Sequence, residues 1–203
     1  MEKERLADRI RTRLWHPDRP GGSCMYALVD GARDDRIYRA VVATYDNKAC
    51  LYSGVLAPEL EMTAPYLVEL DSGSRFTALL LTEGWGRAWG LFLECDAGLV
   101  NLRKHLRQFL VVLDEKNTRL VFRYYDPRVL RAFLPTCTPR QLAQLFGPVQ
   151  RWAMEDEDPE KALEFVREKG MVRMVRRNLA QPAEPPEVKQ VASGVFDQPH
   201  EEG

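Results

Sequence analysis

The chain has 203 residues, of which 45% are apolar and 29% are charged, a balance that excludes a wholly disordered or fibrous protein. Lysine and arginine number 29 against 30 aspartates and glutamates, so the net charge is −1. A chain this close to neutral lacks the overall field of a non-specific nucleic-acid or anionic-membrane binder, and we expect neither nucleic acid nor stable membrane association.

The N-terminus and the cysteines indicate a soluble, cytoplasmic protein. Residues 1–13 are charged throughout and lack the apolar core of a secretory signal. No apolar run approaches the roughly 20 residues that a membrane span requires. The four cysteines are widely spaced among apolar neighbours, which favours buried thiols in a reducing compartment over a disulfide framework.

The predicted elements alternate between helices and short strands. Leu6, Ile10 and Leu14 are spaced four apart within residues 2–15, which is typical of a helix with one apolar stripe. Further strands are predicted at 24–29, 49–52, 66–70, 91–94, 109–113, 120–125 and 149–154, and further helices at 34–45, 58–63, 75–83, 99–107, 127–133 and 139–146.

This alternation predicts the α/β class. Several strands are apolar on both faces, which indicates a mixed, mainly parallel sheet flanked by helices. The segment at residues 109–125 is an exception, because only residues 114–119 separate its two strands and that is too short for a crossover helix. We therefore predict a β-hairpin there, as an antiparallel pair within the sheet.

The composition changes after the last of these strands. The acidic residues 155–158 and Pro159 predict the start of a helix, which would run over 160–169 and resume over 171–179 as a C-terminal helical extension. Prolines and few large apolar residues then indicate a disordered tail. The expected organisation is an N-terminal helix and linker (1–22), an α/β domain (23–154), a C-terminal helical segment (155–179) and a tail (180–203).

The sequence offers few groups for catalysis. It contains three histidines and no Gly-x-Ser-x-Gly elbow, HExxH helix or lysine-bearing phosphate loop. Cysteines and histidines do not cluster at metal-ligand spacing. We therefore expect no catalytic residues, no metal and no cofactor.

One arrangement leaves an enzyme open. Asp30 and Asp126 each follow a predicted strand, the position where α/β sheets bind ligands, and Arg123, Tyr125 and Arg128 lie close by in sequence. As acid and base, with Arg128 holding an anionic substrate, the two aspartates would form a hydrolase-like site for a small molecule. The same residues fit better a turn at Asp30 and a helix start at Asp126, which need no substrate.

Binding candidates are more numerous than catalytic ones. The amphipathic helix at 99–110 carries Arg103 and Arg107 near the side opposite its apolar face, which is typical of a partner surface and also of an ordinary solvated helix. Trp85 and Trp89 stand among glycines, where they would line a groove or pack in the core.

A methionine-containing stretch in the predicted C-terminal helical segment is another candidate. Met171 and Met174 alternate with arginine and valine, so they would adapt to a partner or cover the edge of the sheet. The candidate partner-binding residues are therefore Trp85, Trp89, Arg103, Arg107, Arg123, Tyr125, Asp126, Arg128, Met171 and Met174.

Several sequence phrases, in a fixed order over residues 24–153, resemble a known family. The longest runs from Phe122 through Tyr125-Asp126-Pro127-Arg128 to Leu130. The others are Tyr26-Ala27-Leu28-Val29-Asp30-Gly31-Ala32, Leu56-Ala57-Pro58-Glu59-Leu60, Ala64-Pro65-Tyr66-Leu67-Val68, Glu83-Gly84-Trp85-Gly86 with Trp89-Gly90, Leu102-Arg103-Lys104-His105-Leu106-Arg107, Phe133-Leu134-Pro135 and Phe146-Gly147-Pro148. Together they resemble the type VI secretion adaptors, a class of domains of unknown function also called effector chaperones.

The resemblance implies a protein that binds other proteins and is not an enzyme. Such adaptors bind a secreted toxic effector in the bacterial cytoplasm and promote its loading onto the VgrG spike. The family carries over no catalytic residue. Its longer members have a more extensive C-terminal region. If that region selects the effector, the resemblance implies that this chain either selects its effector through the segment at 171–179 or has a different specificity. A structural component of the secretion baseplate is a further alternative.

Overall fold

The computed structural model describes residues 2–16, 22–113, 116–168, 171–181 and 185–193. Two of the helices within these ranges begin at caps that the sequence encodes. Asp126 caps the helix Pro127–Phe133, and Thr138 forms a reciprocal capping box with Gln141 at the start of the helix Pro139–Phe146. The helices are α1 (Glu2–Leu14), α2 (Asp35–Ala43), α3 (Pro58–Met62), α4 (Arg75–Leu79), α5 (Leu99–Leu106), α6 (Pro127–Phe133) and α7 (Pro139–Phe146).

Shorter helical turns extend three of these helices. Leu80–Gly84 continues α4 as a π-helical turn, Arg107–Phe109 continues α5 and Leu134–Thr136 continues α6 as 3-10 turns. None of the described helices is both long and apolar enough to cross a bilayer.

The strands in the described ranges are β1 (Cys24–Asp30), β2 (Lys48–Cys50), β3 (Pro65–Glu69), β4 (Gly90–Cys95), β5 (Val111–Leu113), β6 (Arg119–Val121), β7 (Val149–Glu155), β8 (Lys161–Glu168), β9 (Met171–Asn178) and β10 (Glu187–Ser193). Most of them form one sheet of eight, in the order β10-β9-β8-β7-β4-β1-β3-β2. β5 and β6 pair separately as a sheet of two.

The prediction of a mainly parallel sheet is wrong, because every neighbouring pair of these strands is antiparallel. The physical reason lies in the position of β1. α4 and its π-helical turn return the chain from β3 to β4, which point the same way as in a parallel crossover, but β1 lies between them. β1 and β2 also point the same way, with β3 between them.

Helices cover both faces of this antiparallel sheet, which explains why its strands are apolar on both sides. Tyr26 and Leu28 of β1 face a core that includes residues of α5, α6 and α7. Met25, Ala27 and Val29 alternate with them and face a second core that includes residues of α1, α2 and α4. The fold is therefore a three-layer α/β/α arrangement whose strand pattern mimics that of a parallel sheet.

The pairing of β1 with β4 requires a glycine at the start of β4. A Cβ atom at Gly90 would lie 2.3 Å from the carbonyl oxygen of Leu28 and 2.8 Å from the Cα of Val29. These are backbone atoms in the middle of the sheet and cannot rotate away. The sequence therefore leaves position 90 without a side chain so that the two strands can approach closely.

We expect the substitution Gly90→Ala to lower the free energy of unfolding by about 1–3 kcal/mol or more, because β4 must move away from β1. Urea unfolding followed by circular dichroism measures this change. Gly98→Ala is the matched control, since a Cβ atom there meets nothing within 4 Å. Equal stability of the two variants would show that the sheet accommodates a side chain at position 90.

The C-terminal helical extension predicted for residues 155–179 is also wrong. Asp156 to Glu160 form a tight connection between β7 and β8, and β8 pairs with β9 along its length, from Lys161 opposite Asn178 to Glu168 opposite Met171. The acidic residues and proline that predicted a helix start instead form this turn. β8 then continues the sheet from β7, so sheet pairing outweighs the local helix signal.

The predicted disordered tail contains a strand. β10 pairs with β9 from Glu187 opposite Arg176 to Ser193 opposite Met171, with an irregularity between Gln190 and Ala192. Its backbone hydrogen bonds extend the sheet by one strand, although few of its side chains are large and apolar. Residues 182–184 and 194–203 of the predicted tail, and residues 17–21 of the predicted linker, lie outside the described ranges.

The predicted hairpin at residues 109–125 pairs as expected but in a different place. Val111 lies opposite Val121, Val112 opposite Leu120 and Leu113 opposite Arg119. The prediction placed this antiparallel pair within the main sheet. In the structure it forms a separate two-stranded sheet.

Candidate partner-binding surface at one end of the sheet

At one end of the main sheet, β1 and β7 finish and β3, β4 and β8 start. Asp30, the last residue of β1, lies opposite Pro65 of β3, and Gly90 of β4 lies opposite Val29. At the same end of the sheet, Glu155, the last residue of β7, lies opposite Ala162 near the start of β8. The segment that follows β6 also reaches this end of the sheet, where its side chains meet Asp30. We call the residues gathered here the strand-end surface: Asp30, Arg123, Tyr125, Asp126 and Arg128.

Asp30 is the buried centre of the strand-end surface. Its side chain is 1% exposed and forms an ion pair with the guanidinium of Arg123, whose side chain is 44% exposed. Its second oxygen accepts a hydrogen bond from the backbone N–H of Ala32 at 3.1 Å, which closes the turn after β1. The hydrogen bond from Arg123 to Asp30 also raises the pKa of the arginine, so the guanidinium stays charged.

Tyr125 supports the outward-facing arginine. Its ring is buried, and the guanidinium carbon of Arg123 lies 5.9 Å from the ring centroid, within the range of a cation–π contact. Burial raises the pKa of the Tyr125 hydroxyl above its ordinary range. The preceding residue, Tyr124, donates a hydrogen bond from its hydroxyl to the carbonyl of Leu106 at 2.7 Å and anchors this segment to α5.

Asp126 combines the helix cap with a second ion pair. Its Oδ1 accepts a hydrogen bond from the backbone N–H of Arg128 at 2.9 Å, and its Oδ2 accepts one from Nη2 of the same residue at 2.6 Å. Burial acts to raise the pKa of Asp126, but the hydrogen bonds and charge of Arg128 outweigh it, so the pKa lies below its ordinary value. The Arg128 side chain itself is 51% exposed.

The lowered pKa of Asp126 predicts a pH dependence of stability. A carboxylate whose folded-state pKa lies below the unfolded value, about 3.9, stabilises the fold at neutral pH and loses that contribution as acid titrates it. The variant Asp126→Asn keeps a capping side chain but not the charge. We therefore expect wild type to be more stable than the variant at pH 7, with the difference shrinking from pH 5 towards pH 2.

Urea unfolding at a series of pH values measures this difference. Arg128→Gln is the matched variant, because it removes the main group that lowers the pKa of Asp126, so its difference from wild type should shrink over the same pH range. A difference between wild type and Asp126→Asn that stays constant from pH 7 to pH 2 would contradict the assignment.

The strand-end surface presents positive charge to solvent. The carboxylates of Asp30 and Asp126 are 1% and 4% exposed, whereas the side chains of Arg123 and Arg128 that pair with them are 44% and 51% exposed. The arginines therefore face outwards over buried acids. Such an arrangement favours an acidic partner surface, and a pKa below the ordinary value is the opposite of what a general acid at Asp126 would need.

Exposed apolar residues lie beside the strand-end surface. A Cβ atom at Gly31 would lie 2.6 Å from the carbonyl oxygen of Met62 and 2.7 Å from that of Ala64, so the end of α3 touches the turn after Asp30. Leu60 and Met62 of α3 are each 45% exposed. Protein interfaces combine an apolar core with a polar rim and are enriched in methionine and arginine, so this combination of residues suits an interface.

Trp85 and Trp89 lie at the same end of the sheet but pack in the second core. Trp89 is 2% exposed, with the guanidinium carbon of Arg36 4.9 Å from its ring centroid. Trp85 is partly buried and donates a hydrogen bond from Nε1 to the carbonyl of Pro159 at 2.7 Å. These contacts correspond to the core-packing alternative for both tryptophans.

Glu155, which the sequence analysis missed, holds the loop between the two tryptophans. The carboxylate is buried at the end of β7 and accepts hydrogen bonds from the backbone N–H groups of Gly86 at 2.6 Å and Ala88 at 2.9 Å. Burial raises the pKa of Glu155, although these hydrogen bonds act in the opposite direction. The cavity lined by Trp85, Trp89 and Glu155 measures about 10 Å³, room for about one water molecule and far too little for a substrate.

Arg103 lies on α5 and Arg107 on the 3-10 turn that continues it, beside the same end of the sheet. Arg103 donates hydrogen bonds to the carbonyls of Cys50 at 2.6 Å and Tyr52 at 2.9 Å, so it fixes α5 to the end of β2. Arg107 is half-buried and, with Tyr52 and Val55, lines an open groove of about 700 Å³. Arg103 therefore has a structural role, and Arg107 is the more available of the two.

Met171 and Met174 do not join the strand-end surface. Both lie on β9, where Met171 pairs with Glu168 at the far end of β8. Met174 is partly buried against the first core. Of the ten partner-binding candidates, the structure thus brings together Arg123, Tyr125, Asp126 and Arg128. Among the described residues, no group of three or more histidine, cysteine or acidic side chains is placed to hold a metal ion.

The fold and this surface define a three-layer α/β/α protein built on an antiparallel sheet, with its outward-facing arginines gathered at one end. The profile of the DUF4123 family, described as a domain of unknown function, matches residues 25–144. This is more than half of the 203 residues, and the chain belongs to that family. Comparison with curated proteins gave no match, and comparison with solved structures gave none.

Proposed function

We propose that this protein is a cytoplasmic adaptor that binds a type VI secretion effector and promotes its loading onto the VgrG spike. Membership of the DUF4123 family agrees with the resemblance of its sequence phrases to such adaptors. The observation that carries the proposal is the strand-end surface, where exposed arginines cover buried carboxylates beside the exposed apolar side chains of α3.

The geometry favours binding over catalysis. Each strand-end aspartate is already paired with an arginine, Asp30 with Arg123 and Asp126 with Arg128. A substrate that took either arginine would leave a carboxylate buried without its counter-ion, at a cost of several kcal/mol. A protein partner can instead bind the exposed half of each guanidinium without breaking the internal pair. The proposal is therefore non-enzymatic, with no metal or cofactor.

An adaptor must also release its cargo, and the composition of this surface suits that requirement. Charge pairs at an interface raise the association rate and select the partner, while a few well-packed residues supply most of the affinity. Leu60 and Met62 are the apolar residues beside the arginines. A surface with two exposed arginines and a small apolar flank fits a partner that binds specifically and later transfers to another protein.

Co-expression with the products of neighbouring effector and VgrG genes tests this function. We expect the tagged full chain to retain the effector through purification, and the effector to load onto VgrG only when the adaptor is present. Retention of neither partner by a folded sample would contradict the proposal. Stoichiometric presence of this chain in purified secretion assemblies would do the same, because it would indicate a structural component of the baseplate.

A further inference from the structure

The separate hairpin of β5 and β6 is unusually exposed for its composition. We call the residues Val111–Leu113 and Arg119–Val121 the arm. Five of its six side chains are aliphatic, and their exposed fractions are 51% for Val111, 37% for Val112, 62% for Leu113, 47% for Leu120 and 65% for Val121. Contiguous exposed apolar side chains mark interaction sites, and an isolated two-stranded hairpin has little stability of its own.

Side-chain alternation divides the arm into two faces. Val111 and Leu113 point to one face together with Val121, because Val111 lies directly opposite Val121. These three are the most exposed aliphatic residues of the arm. Arg119, opposite Leu113, stands on the same face and is exposed. One face therefore presents three aliphatic side chains and a guanidinium.

The hydrogen-bond pattern shows which backbone groups point outwards. The N–H of Phe122 donates to the carbonyl of Leu110 at 3.0 Å, so Leu110 and Phe122 form a hydrogen-bonded pair at the base of the arm. Pairs alternate along an antiparallel ladder, and the next pair, Val111 and Val121, therefore directs its N–H and C=O groups away from the hairpin. On β6 the outward groups belong to Arg119 and Val121.

The charge of the arm indicates the chemistry of its partner. Arg119 forms no ion pair with any side chain in the described ranges. The sequence between the two strands contains Asp114 and Glu115. On β6 itself the charged residue is Arg119, and Arg123, two residues after Val121, is the exposed arginine over Asp30, so β6 leads directly into the strand-end surface. An acidic partner segment complements it.

We propose that the arm binds an extended segment of the effector as a third strand along β6. On the face that carries Val121, aliphatic side chains of that segment would pack beside this valine and extend the apolar face of Val111 and Leu113, and a carboxylate would pair with Arg119. Main-chain hydrogen bonds to Arg119 and Val121 would supply part of the affinity, as in other cases of strand addition. This inference rests on the proposed function and names the surface and the partner segment that it requires.

Peptide binding to the full chain tests the inference. The probes are overlapping 15-residue peptides that tile the co-expressed effector, with binding measured by fluorescence anisotropy. We expect the binding peptides to carry an acidic residue two positions from an aliphatic residue, because Arg119 and Val121 lie on the same face of β6. N-methylation should lower affinity at least tenfold at every second position and have little effect between them, because only alternate N–H groups face β6. Equal sensitivity at consecutive positions would overturn strand addition.

Variants of the arm supply the second readout. The double substitution Leu113→Thr with Val121→Thr should lower effector affinity about tenfold or more, while threonine preserves the strand propensity. Val42→Thr with Val100→Thr is the matched control, since these valines are 59% and 78% exposed on α2 and α5. Arg119→Glu should weaken binding, and the exposed Arg140→Glu on α7 should not.

The outcomes separate this inference from the function on which it rests. If the wild-type chain retains no effector, the proposed function fails. If it retains the effector and the arm variant binds it as tightly as the Val42/Val100 control does, the arm inference alone is overturned. A wild-type dimer in sedimentation velocity that the arm variant converts to a monomer would also overturn it, because the occupant would then be a second copy of this chain.

Discussion

Replacement of Arg151 by methionine is expected to lower the free energy of unfolding by about 3–5 kcal/mol, the usual cost of leaving buried charges without their counter-ion. Arg151 is 4% exposed on β7 and lies 2.9 Å from the carboxylate of Glu94 and 3.6 Å from that of Glu164. It also donates a hydrogen bond to the carbonyl of Leu14 at the end of α1. Its loss would therefore weaken both the sheet and the attachment of α1.

Urea unfolding followed by tryptophan fluorescence measures this effect. The matched control is Arg39→Met, which removes an ion pair with Asp35 in which the side chains are 72% and 69% exposed. We expect a change below about 1 kcal/mol for that exposed pair. Equal losses for Arg151→Met and Arg39→Met would show that the buried charges are solvated or compensated by other groups.

Charge reversal at Arg128 is the second large effect expected. Arg128→Glu should lower the affinity for the effector by about 30- to 100-fold, because it places a like charge where an acidic partner surface is proposed to bind. Isothermal titration calorimetry with the purified effector measures the change. Arg128→Gln, which removes the charge without reversing it, should give a smaller loss.

Two controls separate a binding effect from misfolding. Arg140→Glu reverses an exposed arginine on α7 and should leave affinity unchanged. Thermal unfolding of Arg128→Glu shows whether the helix start at Asp126 survives. Unchanged effector affinity in a folded Arg128→Glu variant would place the effector on another surface.

The sequence predicted the local structure of the strand-end surface well. The Asp126-Pro127 pair indicated a helix start, and Asp126 does cap α6. Arg128, two residues after the cap, pairs with Asp126. These features depend on residues close together in the chain, where capping and proline geometry act directly.

Strand direction was not predictable from the same patterns. A strand buried on both faces has the same composition whether its neighbours are parallel or antiparallel. The deciding fact is that β1 lies between β3 and β4, and that pairing joins Tyr26 to Glu69 on one side and to Leu93 on the other. No local property of these residues encodes such distant partners.

The C-terminal strands were missed because long-range charge pairing outweighed local signals. Glu164 occupies a fully buried position in β8, within the residues 160–169 for which the sequence predicted a helix. Arg13 of α1 donates a hydrogen bond from Nη2 to Glu164 at 2.6 Å, and Arg151 lies 3.6 Å away. Arg13 lies 151 residues before Glu164 in the chain, and Arg151 lies 13 residues before it. The pair with Arg13 therefore cannot be found by inspecting the residues near Glu164 in the sequence.

The exposure of the arm was equally hidden. Val111, Val112, Leu120 and Val121 are apolar at consecutive positions, a pattern typical of a strand buried on both faces. The structure pairs these residues only with each other and leaves both faces in solvent. Composition alone cannot distinguish a strand that the protein buries itself from one that a partner is to cover.

The placement of β7 beside β4 means that the recognisable family segment is not self-sufficient. A fragment cut to residues 25–144 would lose Trp152, which fills the first core beside Leu93, and would open the edge of β4 to solvent. The fragment would also lose α1, and Glu94 would lose the ion pair with Arg151. Such a fragment would be prone to aggregate through its bare β4 edge, so recombinant work should retain the flanking segments.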